Sequence, residues 1–352
     1  MEKTQVKAYG TEAAEASLQQ LSIGRRAVMP KDVEIDILFC GVCHSDLHTA
    51  RNDWGGTVYP AVPGHEIVGR VTHVGNEVTQ FKAGDLAAVG CMVDSCRECP
   101  SCKKDLEQYC IPGFTGTYGS PDKHLGGRTY GGYSEKIVVD EHFVLKVPGN
   151  LDLAATAPLL CAGITTWSPL KHWKAGKGSK VGVIGLGGLG HMAIKLAKGL
   201  GAEVALFSRT PAKEKDAFEL GADTVIISTN NSQMKSVKGK FDLIIDTVPY
   251  VHDVNPYLST LNISGTLVLV GYLGGLEPLL ETVPMIMGRK SVAGSVIGGI
   301  AETQEMLDFC GEHNIVSEIE IINIQNINEA YERMLKSDVR YRFVIDMASL
   351  KK

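Results

Sequence analysis

From Val33 to Ile37 apolar and polar residues alternate, which predicts a strand with one buried face. Ile67 to Val71 and Tyr133 to Val139 alternate in the same way. Pro63-Gly64, Gly75-Asn76, Gly84-Asp85 and Pro148-Gly149 supply turn signals between them. The stretch from about Val33 to Asp140 therefore reads as all-β with long loops. Past Asn150 the period changes. Helical patterns cover Leu153 to Leu160 and the region of Trp167 to Trp173. A short apolar run, Lys180 to Ile184, then leads into a glycine cluster and a helical stretch from His191 to Gly201. A strand at Glu203 to Phe207, a helix at Ala212 to Leu220, and strands at Thr224 to Ile227, Leu243 to Asp246 and Thr266 to Val270 follow. Strands alternating with helices at this interval predict a parallel, doubly wound α/β sheet. The tail adds helices at Thr303 to His313 and Ile327 to Ser337, and ends in an apolar run from Tyr341 to Ile345. Domain boundaries are expected near 150 and 286, with 1–150 and 287–352 forming one discontinuous domain and 151–286 the nucleotide-binding one.

Composition narrows the class. The chain has 352 residues, enough for two domains, and a net charge of −5 with no basic block. A nucleic-acid partner or an anionic membrane surface is not expected. Residues 1–20 are polar and carry no apolar secretory core. No run of about 20 apolar residues is present, so no transmembrane helix is expected. The nine cysteines, four of them clustered, read as metal ligands in a reducing cytoplasm rather than as disulfides.

Gly185-Leu186-Gly187-Gly188-Leu189-Gly190 follows a strand and opens a helix, the context in which G-x-G-x-x-G binds a dinucleotide. Gly185 would make the tight turn, Gly187 would admit the pyrophosphate, and Gly190 would allow close helix–strand packing. At the end of the next strand an NAD site would carry an acid for the ribose hydroxyls. Here stand Ser208, Arg209 and Thr210, with Lys213 close behind. Arg209 can receive a 2′-phosphate, so NADP(H) is the expected cofactor.

Cys96, Cys99, Cys102 and Cys110 lie on one short loop and suit a closed, tetrahedral structural zinc site. An iron–sulfur cluster uses similar ligands, but nothing else in the chain calls for an electron carrier. Cys43, His65, Glu66 and Cys161 are scattered, and spacing alone does not connect them.

Gly64-His65-Glu66-x2-Gly69, the four-cysteine loop and the glycine cluster occur in the order that resembles zinc-dependent medium-chain dehydrogenases. Cys43-His44-Ser45-Asp46-x-His48 and Tyr341-Arg342-Phe343-Val344 resemble the cinnamyl alcohol dehydrogenase branch. The resemblance implies a GroES-like β-rich catalytic domain plus a Rossmann domain. It implies two Zn2+ per chain, the catalytic one held by Cys43, His65 and Cys161 with Glu66 beside it. Asp46 would orient His65, and Ser45 and His48 would relay the proton released when an alcohol becomes an alkoxide. Thr165 and Arg340 would contact cofactor, and Trp54 would line the substrate pocket. The cleft between the domains would hold the reaction.

The expected activity is interconversion of primary aliphatic, benzylic or cinnamyl-type alcohols and aldehydes. A homodimer is implied, through edge pairing of the parallel sheets near Gly294 to Gly299. Two rivals are a zinc-independent NADPH reductase of quinones or enones, which would have no use for Cys43, His65 and Cys161 together, and a non-enzymatic zinc-binding interaction module built on the four-cysteine loop.

Overall fold

A computed structural model describes residues 3–351 of the chain. The first stretch contains β1 (Lys3–Gly10), β2 (Gln19–Arg26), β3 (Asp32–Gly41), α1 (His44–Ala50), β4 (Ile67–Val74), β5 (Leu86–Val89), β6 (Met92–Asp94), β7 (Thr115–Gly116), β8 (Lys136–Asp140), β9 (Leu145–Lys146) and α2 (Leu153–Thr156). The middle contains α3 (Ala162–His172), β10 (Lys180–Ile184), α4 (Gly190–Gly199), β11 (Glu203–Ser208), α5 (Glu214–Glu219), β12 (Thr224–Ile227), α6 (Asn231–Ser236), β13 (Phe241–Asp246), α7 (Asn255–Thr260), β14 (Leu261–Leu269), α8 (Thr282–Gly288) and β15 (Ser291–Gly294). The tail contains α9 (Ile300–His313), β16 (Ile319–Asn323), α10 (Ile327–Leu335) and β17 (Arg342–Asp346).

These elements form two units, one of residues up to 161 together with 298 onward, the other of 162–297. In the first, a mostly antiparallel sheet runs β16-β17-β3-β4-β5-β9, with β8 also paired to β3. β3 is its spine: it pairs β8 along its first half, β17 at its end and β4 over most of its length. Register shifts at Glu34/Ile35 and Ile37/Phe39 mark bulges on the β4 side, which bend a sheet. Val33, Ile35 and Ile37 are buried, following the alternation in the sequence, and past the second bulge the phase changes so that Cys40 is buried.

In the second unit the sheet order is β12-β11-β10-β13-β14-β15, parallel throughout. The central strands are apolar on both faces, as a parallel sheet covered by helices requires. Phe207, Phe241 and Tyr257 meet edge to face in its core, with ring centroids 5.2 Å apart for Phe207 and each partner. Strand order reverses beside β10, so the glycine cluster sits at the switch point of a Rossmann sheet.

The units divide about a dozen residues beyond the boundaries read from the sequence, and the packing explains why. Leu159 and Leu160, in the turn that follows α2, bury themselves in the first unit, so the strand-rich unit continues to Cys161. β15 pairs in parallel with β14, so the Rossmann sheet extends past 286. The region expected to be all-β also contains α1, a helix of seven residues, too short to show a 3.6-residue period. No single helix among the described residues is long and apolar enough to cross a membrane.

Candidate active site and metal centres

β3 ends at Gly41, and the chain turns through Cys43 into α1. Cys43 is the N-cap, and Asp46 closes a capping box: its Oδ2 accepts the Cys43 N–H at 2.8 Å. The other oxygen of Asp46 accepts the Gly64 N–H at 3.0 Å, and the Tyr133 hydroxyl donates to Oδ2 at 3.2 Å. Asp46 is fully buried. Through it the turn bearing Cys43 is fastened to the segment bearing His65. Gly41 has to be glycine, because a Cβ there would lie 1.9 Å from Glu66 Oε2.

Cys43, His65, Glu66 and Cys161 each place one ligand atom within 4.8 Å of the others. The Cys43 and Cys161 sulfurs are 3.9 Å apart. Contact with Cys161, with His65 and Arg342 nearby, holds the Cys43 thiol well below its ordinary range, while contacts with Cys43 and Cys91 together with burial hold Cys161 well above. His65 Nδ1 lies 3.2 Å from the Tyr118 hydroxyl and 3.7 Å from Asp46 Oδ1, while its Nε2 is buried without a hydrogen-bond partner. Glu66 Oε1 is paired with buried Arg342, which also donates to the Val42 carbonyl at 2.9 Å. Glu66 Oε2 has no partner, and burial pushes this carboxyl up to about 8 against the pull of Arg342. Two thiols, an unpartnered imidazole nitrogen and an unpartnered carboxylate oxygen at this spacing fit a divalent cation of borderline softness.

The four-cysteine lobe gathers as closely. Its sulfurs lie within 4.8 Å of one another, with Cys96–Cys102 at 3.8 Å and Cys99–Cys102 at 3.5 Å. A tetrahedral zinc with bonds of about 2.3 Å spaces sulfurs roughly 3.8 Å apart. Backbone N–H groups of Cys96, Cys99 and Ile111 donate to Cys110, Cys96 and Cys99. Backbone N–H groups of Cys102 and Ile111 hold the Cys99 thiol at about 6. Four thiolates here would leave no open position on a tetrahedral ion.

On α1, Ser45 and His48 lie one turn apart. Ser45 Oγ is 3.6 Å from Cys43 Sγ, and His48 Nδ1 is 2.7 Å from Asp53 Oδ2. The His48 ring sits 5.2 Å from that of Trp54. Trp54 is 53% exposed and, with Thr49, Val58, Pro63 and Tyr118, lines a cavity beside His65. Tyr118 stacks on the His65 ring at 5.4 Å.

In the Rossmann unit the three glycines differ. Gly185 has φ +88°; Gly187 has nothing within 4 Å of a would-be Cβ; at Gly190 a Cβ would meet the Gly185 carbonyl at 2.1 Å. The turn, with Gly188 and Leu189 inside it, is thus open where a ligand would approach and tight where helix meets strand. Ser208 Oγ donates to the Thr210 carbonyl at 2.7 Å, Lys213 Nζ donates to the Leu186 carbonyl at 2.7 Å, and Arg209 is exposed. Thr165 is buried in α3 of the same unit. Arg340, in the other unit, is exposed just before β17.

Four residues of this site carry no role in the sequence reading: Asp53, Tyr118, Tyr133 and Arg342. Arg342 lies inside the Tyr341–Val344 motif, which was a signal. Tyr118 sits on a loop where neither spacing nor composition marks it, and Tyr133 opens the alternating run to Val139, which marks it as strand and not as a partner of Asp46; the strand itself begins at Lys136.

Residues 29–149 match the alcohol dehydrogenase GroES-like domain family, and residues 188–312 the zinc-binding dehydrogenase family. The chain belongs to the zinc-binding alcohol dehydrogenases, in which a GroES-like domain is joined to a Rossmann domain. It is 53% identical over 346 residues to an aldehyde reductase of Escherichia coli, covering 98% of this chain and 99% of that one. It is 54% identical over 347 residues to an NADP-dependent alcohol dehydrogenase of Mycolicibacterium smegmatis, covering 98% and 99%. Among solved structures it resembles a cinnamyl alcohol dehydrogenase of Helicobacter pylori in complex with NADP(H), with a TM-score of 0.90, 43% identity and 99% of each chain covered.

The Glu66–Arg342 pair generates a stability prediction. Removing Arg342 leaves a buried carboxyl, already pushed up to about 8, without its hydrogen-bond partner, and an unsatisfied buried polar group costs about 1–3 kcal/mol. Arg342→Met should therefore lower unfolding free energy by about that much, and Arg342→Met combined with Glu66→Leu, which leaves no buried polar group unsatisfied, should recover a large part of it. Denaturant titration of both variants checks this; a loss under about 1 kcal/mol in the single variant would show that the pair carries little.

Proposed function

We propose that this protein is a zinc-dependent NADP(H) alcohol dehydrogenase and aldehyde reductase, interconverting primary aliphatic, benzylic or cinnamyl-type alcohols and their aldehydes. The observation that carries this reading is the convergence of Cys43, His65 and Cys161 with an unpartnered imidazole nitrogen, in a chain of this family. When bound, zinc supplies Lewis acidity toward the substrate oxygen and the nicotinamide exchanges hydride with the substrate carbon. Cys43, His65 and Cys161 hold the catalytic ion and leave a position for substrate, and Cys96, Cys99, Cys102 and Cys110 enclose the structural one. Asp46 and Tyr118 face His65 Nδ1 and fix its ring, leaving Nε2 for the metal. Arg342 holds one oxygen of Glu66 aside, so that the other is available to the ion.

Ser45 takes the proton from the alcohol, and His48 passes it to solvent. An imidazole suits that end of the relay because it can accept a proton on one ring nitrogen and release it to water. Asp53 accepts from His48 Nδ1 and leaves Nε2 for the transfer. Trp54 and Tyr118 form the walls that meet the organic part of the substrate. Residues 162–297 bind the cofactor through Gly185, Gly187, Gly188, Leu189 and Gly190, with Ser208, Arg209, Thr210 and Lys213 at the adenosine end. Thr165 and Arg340 complete the set of cofactor contacts. A zinc-independent reductase would leave the Cys43–His65–Cys161 cluster without a task, and an interaction module would need only the four-cysteine lobe.

The same reading extends to assembly and compartment. α8 buries none of its residues, and Val283, Ile286 and Met287 on it are 68%, 75% and 82% exposed. They lie close in sequence to β15, the open edge of the parallel sheet. An apolar helix near a free edge suits a second copy across a two-fold axis. Free thiols throughout the described residues suit a reducing cytoplasm.

Elemental analysis should find two zinc ions per active chain. Cys43→Ala should lose one ion and nearly all turnover while staying folded. Cys102→Ala should instead lose stability and soluble yield, since a structural ion contributes folding free energy. Full turnover in Cys43→Ala would sink the assignment.

Cofactor preference should favour NADPH over NADH by at least about tenfold in kcat/KM, on the basis that a charge-assisted bond contributes about 1.5–3 kcal/mol. Arg209→Ala should erode the preference through weaker NADPH binding, and Ser208→Asp should turn it toward NADH. Equal use of both cofactors by the wild type would refute the NADP(H) assignment and leave the zinc sites untouched.

Sedimentation should give a dimer, and Ile286→Lys with Met287→Glu should shift it to monomer. A monomeric wild type at micromolar concentration would overturn the edge-pairing reading.

A further inference from the structure

The cofactor reading makes no use of a chain of contacts that begins at Arg209. The Arg209 carbonyl accepts the Thr229 hydroxyl at 3.1 Å. Its guanidinium carbon lies 5.8 Å from the centroid of the Tyr250 ring, within cation–π range. Tyr250 is half-exposed, on the loop that follows β13.

That loop is tied to buried Asp246 at the end of β13. Asp246 Oδ1 accepts the Val248 N–H at 3.1 Å. Its Oδ2 stands 3.0 Å from His252 Nε2, an ion pair without an aligned hydrogen bond. His252 Nδ1 is in turn 2.9 Å from the Tyr250 carbonyl and donates to it. Asp246 raises the pKa of His252, which favours the doubly protonated ring that can serve both partners. Beside Arg209, Ser208 Oγ donates to the Thr210 carbonyl and Lys213 Nζ to the Leu186 carbonyl.

An exposed arginine samples many rotamers, and a ligand that captures it must offset that entropy. Holding the guanidinium on an aromatic face, with the backbone pinned, removes part of that cost in advance and still leaves the edge of the fork free for an anion. We propose that Tyr250, held in place by His252 and Asp246, is a specificity-determining positioning residue that preorders Arg209 for the 2′-phosphate of the cofactor. This inference rests on the NADP(H) reading and adds to it the residue that makes Arg209 selective.

The test is calorimetric titration of the zinc-loaded full chain with 2′,5′-ADP and with 5′-AMP, two probes that differ only in the 2′-phosphate. The wild type should prefer 2′,5′-ADP. Tyr250→Leu should weaken 2′,5′-ADP binding about three- to tenfold while 5′-AMP changes less than twofold. Tyr250→Phe, which keeps the ring, should bind like the wild type. Equal weakening of both probes in Tyr250→Leu would make the ring a shelf for the base and overturn the proposal, as would unchanged binding of both. A wild type without preference for 2′,5′-ADP would overturn the NADP(H) reading itself, and with it the role given to Tyr250. Because Tyr250 is half-exposed and outside the core, its variants should fold, and a matching thermal midpoint checks that the binding change is local.

Discussion

Asp46 holds together the segments that carry Cys43 and His65. A fully buried carboxylate is costly unless donors surround it, and here the Cys43 N–H, the Gly64 N–H and the Tyr133 hydroxyl converge on it, with His65 alongside. The donors come from three separate segments, so satisfying one charge fixes the turn before α1, the Gly64–Glu66 segment and the loop before β8 relative to one another. The distances among Cys43, His65 and Cys161 follow from that fixation and from the burial of Leu159 and Leu160, which brings Cys161 into the same unit. In the proposed role, a cluster that would receive an ion within tenths of an ångström gains from side chains held in advance.

The same device recurs at different scales. Glu66 is buried against Arg342, which carries the end of the chain back to β3 and also donates to the Val42 carbonyl. In the Rossmann unit Asp246 plays a comparable part for the loop bearing Tyr250 and His252. In each case a buried acid is placed at the end of a strand or in a helix cap, and the segment around it is ordered by the need to satisfy its oxygens. The apolar cores supply the bulk of the stability, and these acids determine which loop conformations are compatible with it.

Much of the architecture was legible because it depends on local patterns. The glycine cluster after Ile184 has a distinct demand at each glycine: a positive φ at Gly185, open space at Gly187 and contact with backbone at Gly190. Those demands leave a mark on the sequence, since other residues do not meet them. The four cysteines are legible for a similar reason: a single loop must close on one centre, so the ligands stay near in sequence. The missing acid at Ser208–Thr210 was legible as a change of charge at a position that topology defines. The short helix α1 was not, because seven residues span barely two turns and its cap is supplied by a side chain within the helix.

The sequence by itself determined the alternation of strands and helices from Lys180 to Ile227, the cysteine loop and the glycine turn, because each arises from contacts within a few residues. Tertiary structure decided which of the scattered polar groups meet. Tyr118 reaches His65 across 53 positions, Arg342 reaches Glu66 across 276, and Tyr133 reaches Asp46 across 87. No periodicity records such pairings, since they depend on how β3, β4 and β17 register against one another and on which buried charge each partner satisfies. Burial supplies the reason: inside the protein an unpartnered donor or acceptor is expensive, so the fold selects partners by proximity in space, where the sequence alone shows only residues far apart.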